Sequence, residues 1–177
     1  MGRLTGGRRS WPFAVAIAAA TAVPGTPVLA SGPRAQASRG AVCGWSGRDR
    51  ITPGLTTIPR EITFSFTGNV GPCRMSDGST RSGREAGSGN GTASCSGGDG
   101  SYVETITWND GTTSTLTAGF VFAAGVAIAT GRITDGEWAG TPIRDVEFVT
   151  PDDPSTCASA AGMTGASYQG VLTFGGS

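Results

Sequence analysis

The chain has 177 residues, with 13 arginines, 13 acids, 30 glycines, 10 prolines, no lysine and no histidine, and only 15% of it is charged. Without histidine there is no imidazole base, no Ser–His–Asp or Cys–His couple and no histidine-bound zinc; without lysine there is no Schiff base and no phosphate loop ending in Gly-Lys. Formal neutrality leaves no electrostatic footprint for nucleic acid.

The first residues read as an export signal, residues 1–37. Arg3, Arg8 and Arg9 precede an alanine-rich apolar run from Trp11 to Val23, and Pro24-Gly25-Thr26-Pro27 ends it. Cleavage is expected after Ala37, on the small-x-small triplet Ala35-Gln36-Ala37, or after Ala30. The apolar run falls short of the roughly 20 residues that span a bilayer, so no membrane span is expected after signal removal. Residues 38–177 then form one β-domain with nine arginines against 13 acids, a net charge of about −4. All four cysteines, Cys43, Cys73, Cys95 and Cys157, lie in it. An even number in an exported chain argues for two disulfides. Cys43–Cys73 and Cys95–Cys157 are the expected pairs of the three possible sets, because neighbouring strands meet first. No C-x-x-C spacing suggests a metal site.

Along this domain the dominant period is two. Ile62, Phe64 and Phe66 alternate with threonine and serine, which places the three apolar side chains on one face of a strand. Ser76 to Gly91 is rich in glycine and serine with no large apolar residue, and reads as a flexible loop, 76–91. Tyr102 to Trp108 is a strand, Asn109-Asp110-Gly111 a hairpin turn, and Thr112 to Ala118 the returning strand. A three-residue turn with Gly111 in the left-handed conformation pairs Trp108 with Thr112 and Glu104 with Leu116. That register is preferred because it gathers Ile106, Trp108 and Leu116 on one face.

Phe120 to Thr130, apolar on both sides, reads as a buried strand bent at Gly125. A second compact hairpin signal covers Arg132 to Trp138. Val146 and Phe148 mark a strand that stops at Pro151, and Tyr168, Leu172 and Phe174 share a face of the last one. The pattern predicts an all-β fold, a single antiparallel β-barrel of meander type or a β-sandwich, of about 7–9 strands with two disulfides.

Carboxylates are the only general acids and bases available. Among Glu104, Asp135, Glu137, Asp145 and Glu147, Glu104 is the strongest candidate, since alternation sets it beside Trp108 on the apolar face; the structural alternative is a strand end reaching water or an arginine. Asp99, Asp135 and Asp152-Asp153 sit in turns but match no calcium loop. Trp45 and Trp138 are candidates for a flat sugar-stacking surface, Trp138 being the one expected to be exposed and Trp108 the one expected in the core. Trp45, Trp138 and Glu104 are therefore the candidate ligand-binding residues. No catalytic or metal-ligating set, and no cofactor, is assigned.

Gly91 to Cys95, Thr105 to Thr112, Ala129 to Gly140 and the later Cys157 resemble the small secreted β-proteins of actinobacterial type. The resemblance implies export and an all-β fold, and it assigns no activity and no functional residue. A faint similarity of Asp135 to Gly140 to the actinobacterial subtilisin inhibitors fails at the cysteine spacing. The expected function is a non-enzymatic extracellular or cell-envelope binding or accessory protein. Its expected partner is a cell-wall or extracellular glycan or a secreted protein, not nucleic acid. A glycan-binding module, a secreted protease inhibitor and a carboxylate-based hydrolase are the alternatives.

Overall fold

The computed structural model describes residues 40–175, so the expected export signal and both expected cleavage sites lie outside the described residues. Eight strands follow in chain order: β1 (Ala41–Leu55), β2 (Arg60–Met75), β3 (Thr80–Ser94), β4 (Gly97–Trp108), β5 (Thr113–Ala123), β6 (Val126–Gly136), β7 (Pro142–Pro151) and β8 (Met163–Phe174), with a short 3-10 helix, Pro154–Ala158, before the last. Each strand pairs with the next, and β1 pairs with β8, so the sheet closes as one antiparallel barrel with no free edge. Of the two expected architectures, the meander barrel is the one formed. Among the described residues, no helix is long and apolar enough to cross a membrane.

The predicted hairpin register holds. Glu104 faces Leu116, the Trp108 amide bonds to the Thr112 carbonyl at 2.9 Å, and Gly111 sits at φ +84°. Both predicted disulfides are present, Cys43–Cys73 and Cys95–Cys157, joining residues 30 and 62 apart. The first links directly paired residues of β1 and β2; the second ties the 3-10 helix to the β3–β4 turn. Crosslinks of this kind form and persist in an oxidising, extracellular-type environment. By chain entropy such loops contribute about 3.5–4.5 kcal/mol each.

Three sequence expectations need correction. The segment 76–91 is not a loop: after a short turn, β3 begins at Thr80 and runs through it. Its inward positions include Gly83, Glu85, Gly87, Gly89 and Gly91; at Gly87 and Gly89 aromatic rings of β2 fill the space, and at Gly83 and Gly91 the neighbouring strand β4 does. A Cβ on Gly89 would lie 2.5 Å from Phe64 Cζ, and one on Gly87 2.7 Å from Phe66 Cε1. Composition suggested mobility where the barrel requires absent side chains. Phe120 to Thr130 is not one bent strand but the end of β5 and the start of β6, joined at Ala124-Gly125, both with positive φ. The third correction is Trp138.

Trp138 is buried, not exposed. Its φ of +66° folds the indole back across one end of the barrel, against Trp108 at 4.9 Å and Phe174 at 5.2 Å between ring centroids. Arg81 of β3 caps this pair, its guanidinium carbon 4.7 Å from the Trp108 ring centre and 5.3 Å from that of Trp138. The same guanidinium bonds Asp110 and Glu137, each at 2.7 Å. Burial opposes the Arg81 charge, but these two acids more than offset that and raise its pKa. Arg81→Ala removes the charge, the ring contact and the cover over two indoles, and is expected to cost about 2 kcal/mol in urea denaturation.

Candidate functional site

The indole pair and Arg81 close one end of the barrel. Toward the other, the strands surround a partly open cavity of about 100 Å³. Its lining is mostly apolar and aromatic, and includes Trp45, Phe64, Phe66, Tyr102, Phe120 and Tyr168. A small apolar cluster of Ile51, Leu55, Ile62, Ala93 and Met163 packs at its outer end beside the Cys95–Cys157 bridge. The rings meet edge to face: Trp45 on Tyr168 at 5.3 Å, Phe66 on Tyr102 at 5.5 Å and Phe64 on Phe120 at 5.5 Å. This geometry is the one aromatic quadrupoles favour, and it holds the walls rigid.

Acids occupy the same interior. Asp49, Asp145 and Glu147 line the cavity, with no basic residue in the lining. Glu85 and Glu104 join them through the aromatic wall: Tyr168 donates its hydroxyl hydrogen bond to Glu85 Oε1, and Glu104 is two residues from Tyr102 on the inner face of β4. Asp145 and Glu104 are each 1% exposed and Glu85 4%.

Removing carboxylates from water disfavours their charged form. Burial lifts Asp49 to about 7. Burial, with the neighbouring charges of Asp49 and Glu85, lifts Glu147 to about 8; burial, with Glu147 and Glu85, lifts Asp145 to about 9. Glu85 is raised by burial to about 7, although the hydrogen bond from Tyr168 pulls it down. Glu104 is raised well above the usual carboxylate range, by burial first and then by the charge of Glu85. Glu104 is therefore the protonated partner of the pair, because two buried carboxyls in contact do not both ionise.

Three polar atoms in the lining have no partner: the Trp45 indole N–H, the Tyr102 hydroxyl and Asp145 Oδ1, and all three belong to residues that are more than nine-tenths buried. A buried polar atom left unpaired costs about 1–3 kcal/mol, so such atoms mark where water or a ligand sits.

Of the candidate residues, Trp45 and Glu104 lie in this interior and Trp138 at the closed end. Trp45 is buried as well, so no flat sugar-stacking surface exists at Trp45 or Trp138. Glu104 reaches neither water nor an arginine; the strand-end alternative is replaced by a fully buried acid. Sequence reasoning missed Asp49 and Glu85. The signal for Asp49 is its place in the alternating set Trp45, Gly47, Asp49, Ile51; that for Glu85 is Gly83-x-Glu85-x-Gly87. In β7 the usual rule inverts: Asp145 is buried and Phe148 is exposed.

No group of three His, Cys, Asp or Glu side chains among the described residues is arranged to hold a metal ion. A wider groove of about 650 Å³ runs past Arg48 and Asp152 and shares Asp49, Phe66 and Met163 with the cavity lining; the charges of Arg48 and Asp152 satisfy each other at 2.7 Å. The chain matches no protein-family model, no curated protein and no solved structure.

Proposed function

We propose that this chain is a secreted, non-enzymatic binding protein that encloses a small molecule, mostly apolar with one polar group, inside its barrel. The observation that carries this reading is the rigid aromatic cavity in which Tyr102 and Asp145 present unpaired polar atoms. Closed eight-stranded barrels have an interior just wide enough for side chains or one small ligand, and the glycines of β3 make room here for the rings that form the cavity wall. Export is supported by the two disulfides, the basic and apolar amino-terminal segment and the resemblance to secreted β-proteins.

A carboxylate-based hydrolase is the second reading, favoured by Trp45 and three acids in one cavity. Space counts against it. An apolar cavity of about 150 Å³ accommodates benzene, so about 100 Å³ is too small for a sugar ring with its attacking water.

Thermal denaturation of the disulfide-bonded protein against a panel of small amphiphiles tests the binding reading. A ligand with the right shape raises Tm in proportion to the logarithm of its concentration and shifts the Trp45 and Tyr168 NMR signals. A panel that leaves Tm unchanged at millimolar concentration, or ligands that perturb only the outer groove around Arg48, would overturn it.

A further inference from the structure

Resting on that reading, we propose that the enclosed ligand is an organic cation, a protonated alkylamine whose ammonium group bonds Asp145 and Tyr102 between the aromatic faces of Trp45, Phe66 and Tyr168. Three observations converge on it. The lining has three acids and no basic residue, so a cation meets attraction from Asp49, Asp145 and Glu147 and repulsion from none of the lining. Ring faces stabilise a desolvated cation. The free Asp145 Oδ1 is an acceptor, which an N–H of an ammonium completes. Scaling from benzene in about 150 Å³, the cavity takes a group of about four non-hydrogen atoms.

The ligand charge also accounts for a neighbourhood otherwise held neutral. The titratable groups lining the cavity are Asp49 from β1, Tyr102 from β4, Asp145 and Glu147 from β7, and Tyr168 from β8, with Glu85 from β3 buried behind Tyr168 and Glu104 from β4 buried nearby. From β2, β5 and β6 come only apolar side chains such as Phe66, Phe120 and Ala127. An arriving cation favours the ionised carboxylate, so binding expels a proton and affinity rises with pH. An alkylamine, like lysine, stays protonated up to about pH 10.

The test uses n-propylammonium and its neutral isostere 1-propanol, followed by calorimetry and by the Trp45 indole N–H signal. At pH 8.5 propylammonium is expected to bind at least tenfold tighter than propanol. Between pH 6 and 8 its affinity is expected to rise by about tenfold per pH unit, with one proton released per ligand in buffers of differing ionisation heat. Asp145→Asn is expected to lower propylammonium affinity at least tenfold and that of propanol by a much smaller factor, and Glu147→Gln provides a second variant of the same sign. Equal binding of propanol, unchanged affinity in both variants, or no effect of propylammonium on Trp45 overturns the cation inference while leaving an enclosing barrel in place. If the amphiphile panel is also blank, the enclosing-barrel reading falls with it.

Discussion

Heated without ligand at pH 5 and at pH 8.5, the protein is expected to unfold about 10–15 °C higher at pH 5. This is the reverse of the acid denaturation that most domains show, and it follows from which state holds the protons. In the unfolded chain Asp49, Glu85, Asp145 and Glu147 titrate near 4, whereas in the barrel they titrate at about 7, 7, 9 and 8. Between those limits the folded state binds more protons than the unfolded one, so stability falls as pH rises from about 4 to about 9. One pKa unit corresponds to about 1.4 kcal/mol. A pH effect of about 4 kcal/mol from the cluster as a whole corresponds to roughly 10–15 °C for a domain of this length.

Glu104→Gln separates the cluster from the rest of the molecule. Glutamine keeps the shape but cannot ionise, so the variant is expected to be at least as stable as the parent at pH 8.5. Its loss of Tm between pH 5 and 8.5 is expected to be smaller than that of the parent by about 3 °C or more. A parent profile that is flat, or that rises with pH, would mean these acids are hydrated in solution. An unchanged profile in the variant would remove Glu104 from the titrating group.

The same cluster shows where a sequence is readable and where it is not. The Asn109-Asp110-Gly111 hairpin was legible because local backbone chemistry fixes it: Gly111 takes a positive φ and Asp110 accepts the Thr112 amide at 3.0 Å. The Cys43–Cys73 pair was legible because strands adjacent in sequence are adjacent in a meander, and Cys95–Cys157, which joins the β3–β4 turn to the helix before β8, followed as the remaining pair. Glu104 was legible as an inward acid from alternation alone. That Asp49, Glu85, Asp145 and Glu147 converge with it was not, because convergence depends on the strand stagger that closes the barrel. Trp138 was misplaced for a different reason. Its direction is set by one left-handed backbone angle and by the presence of Trp108 and Phe174 beneath it, neither of which the local sequence announces. In β7 the hydrophobic rule itself misleads, since the interior there is the acidic side and Phe148 faces outward.

Substitution along residues 87–90 is expected to alternate in effect, and this is the sharpest separation of a strand from a mobile glycine-serine loop. Gly87→Val and Gly89→Val are expected to lose about 3 kcal/mol each in urea denaturation, with weakened binding of any enclosed ligand. At position 89 even the first added carbon meets Phe64 at 2.5 Å and the Tyr102 Cβ at 2.8 Å, and both groups are parts of the cavity wall. Neither ring can withdraw, because Phe64 is braced edge-on by Phe120 and Phe66 by Tyr102. Ser88→Val and Asn90→Val point outward from exposed positions and are expected to change stability by less than about 0.5 kcal/mol, or to increase it slightly through the β preference of valine. A loop would tolerate all four substitutions alike. Uniform tolerance would therefore dissolve β3 and, with it, the closure of the barrel, the placement of Glu85 beside Tyr168 and the enclosed cavity; uniform intolerance would mean that both faces of the strand are covered.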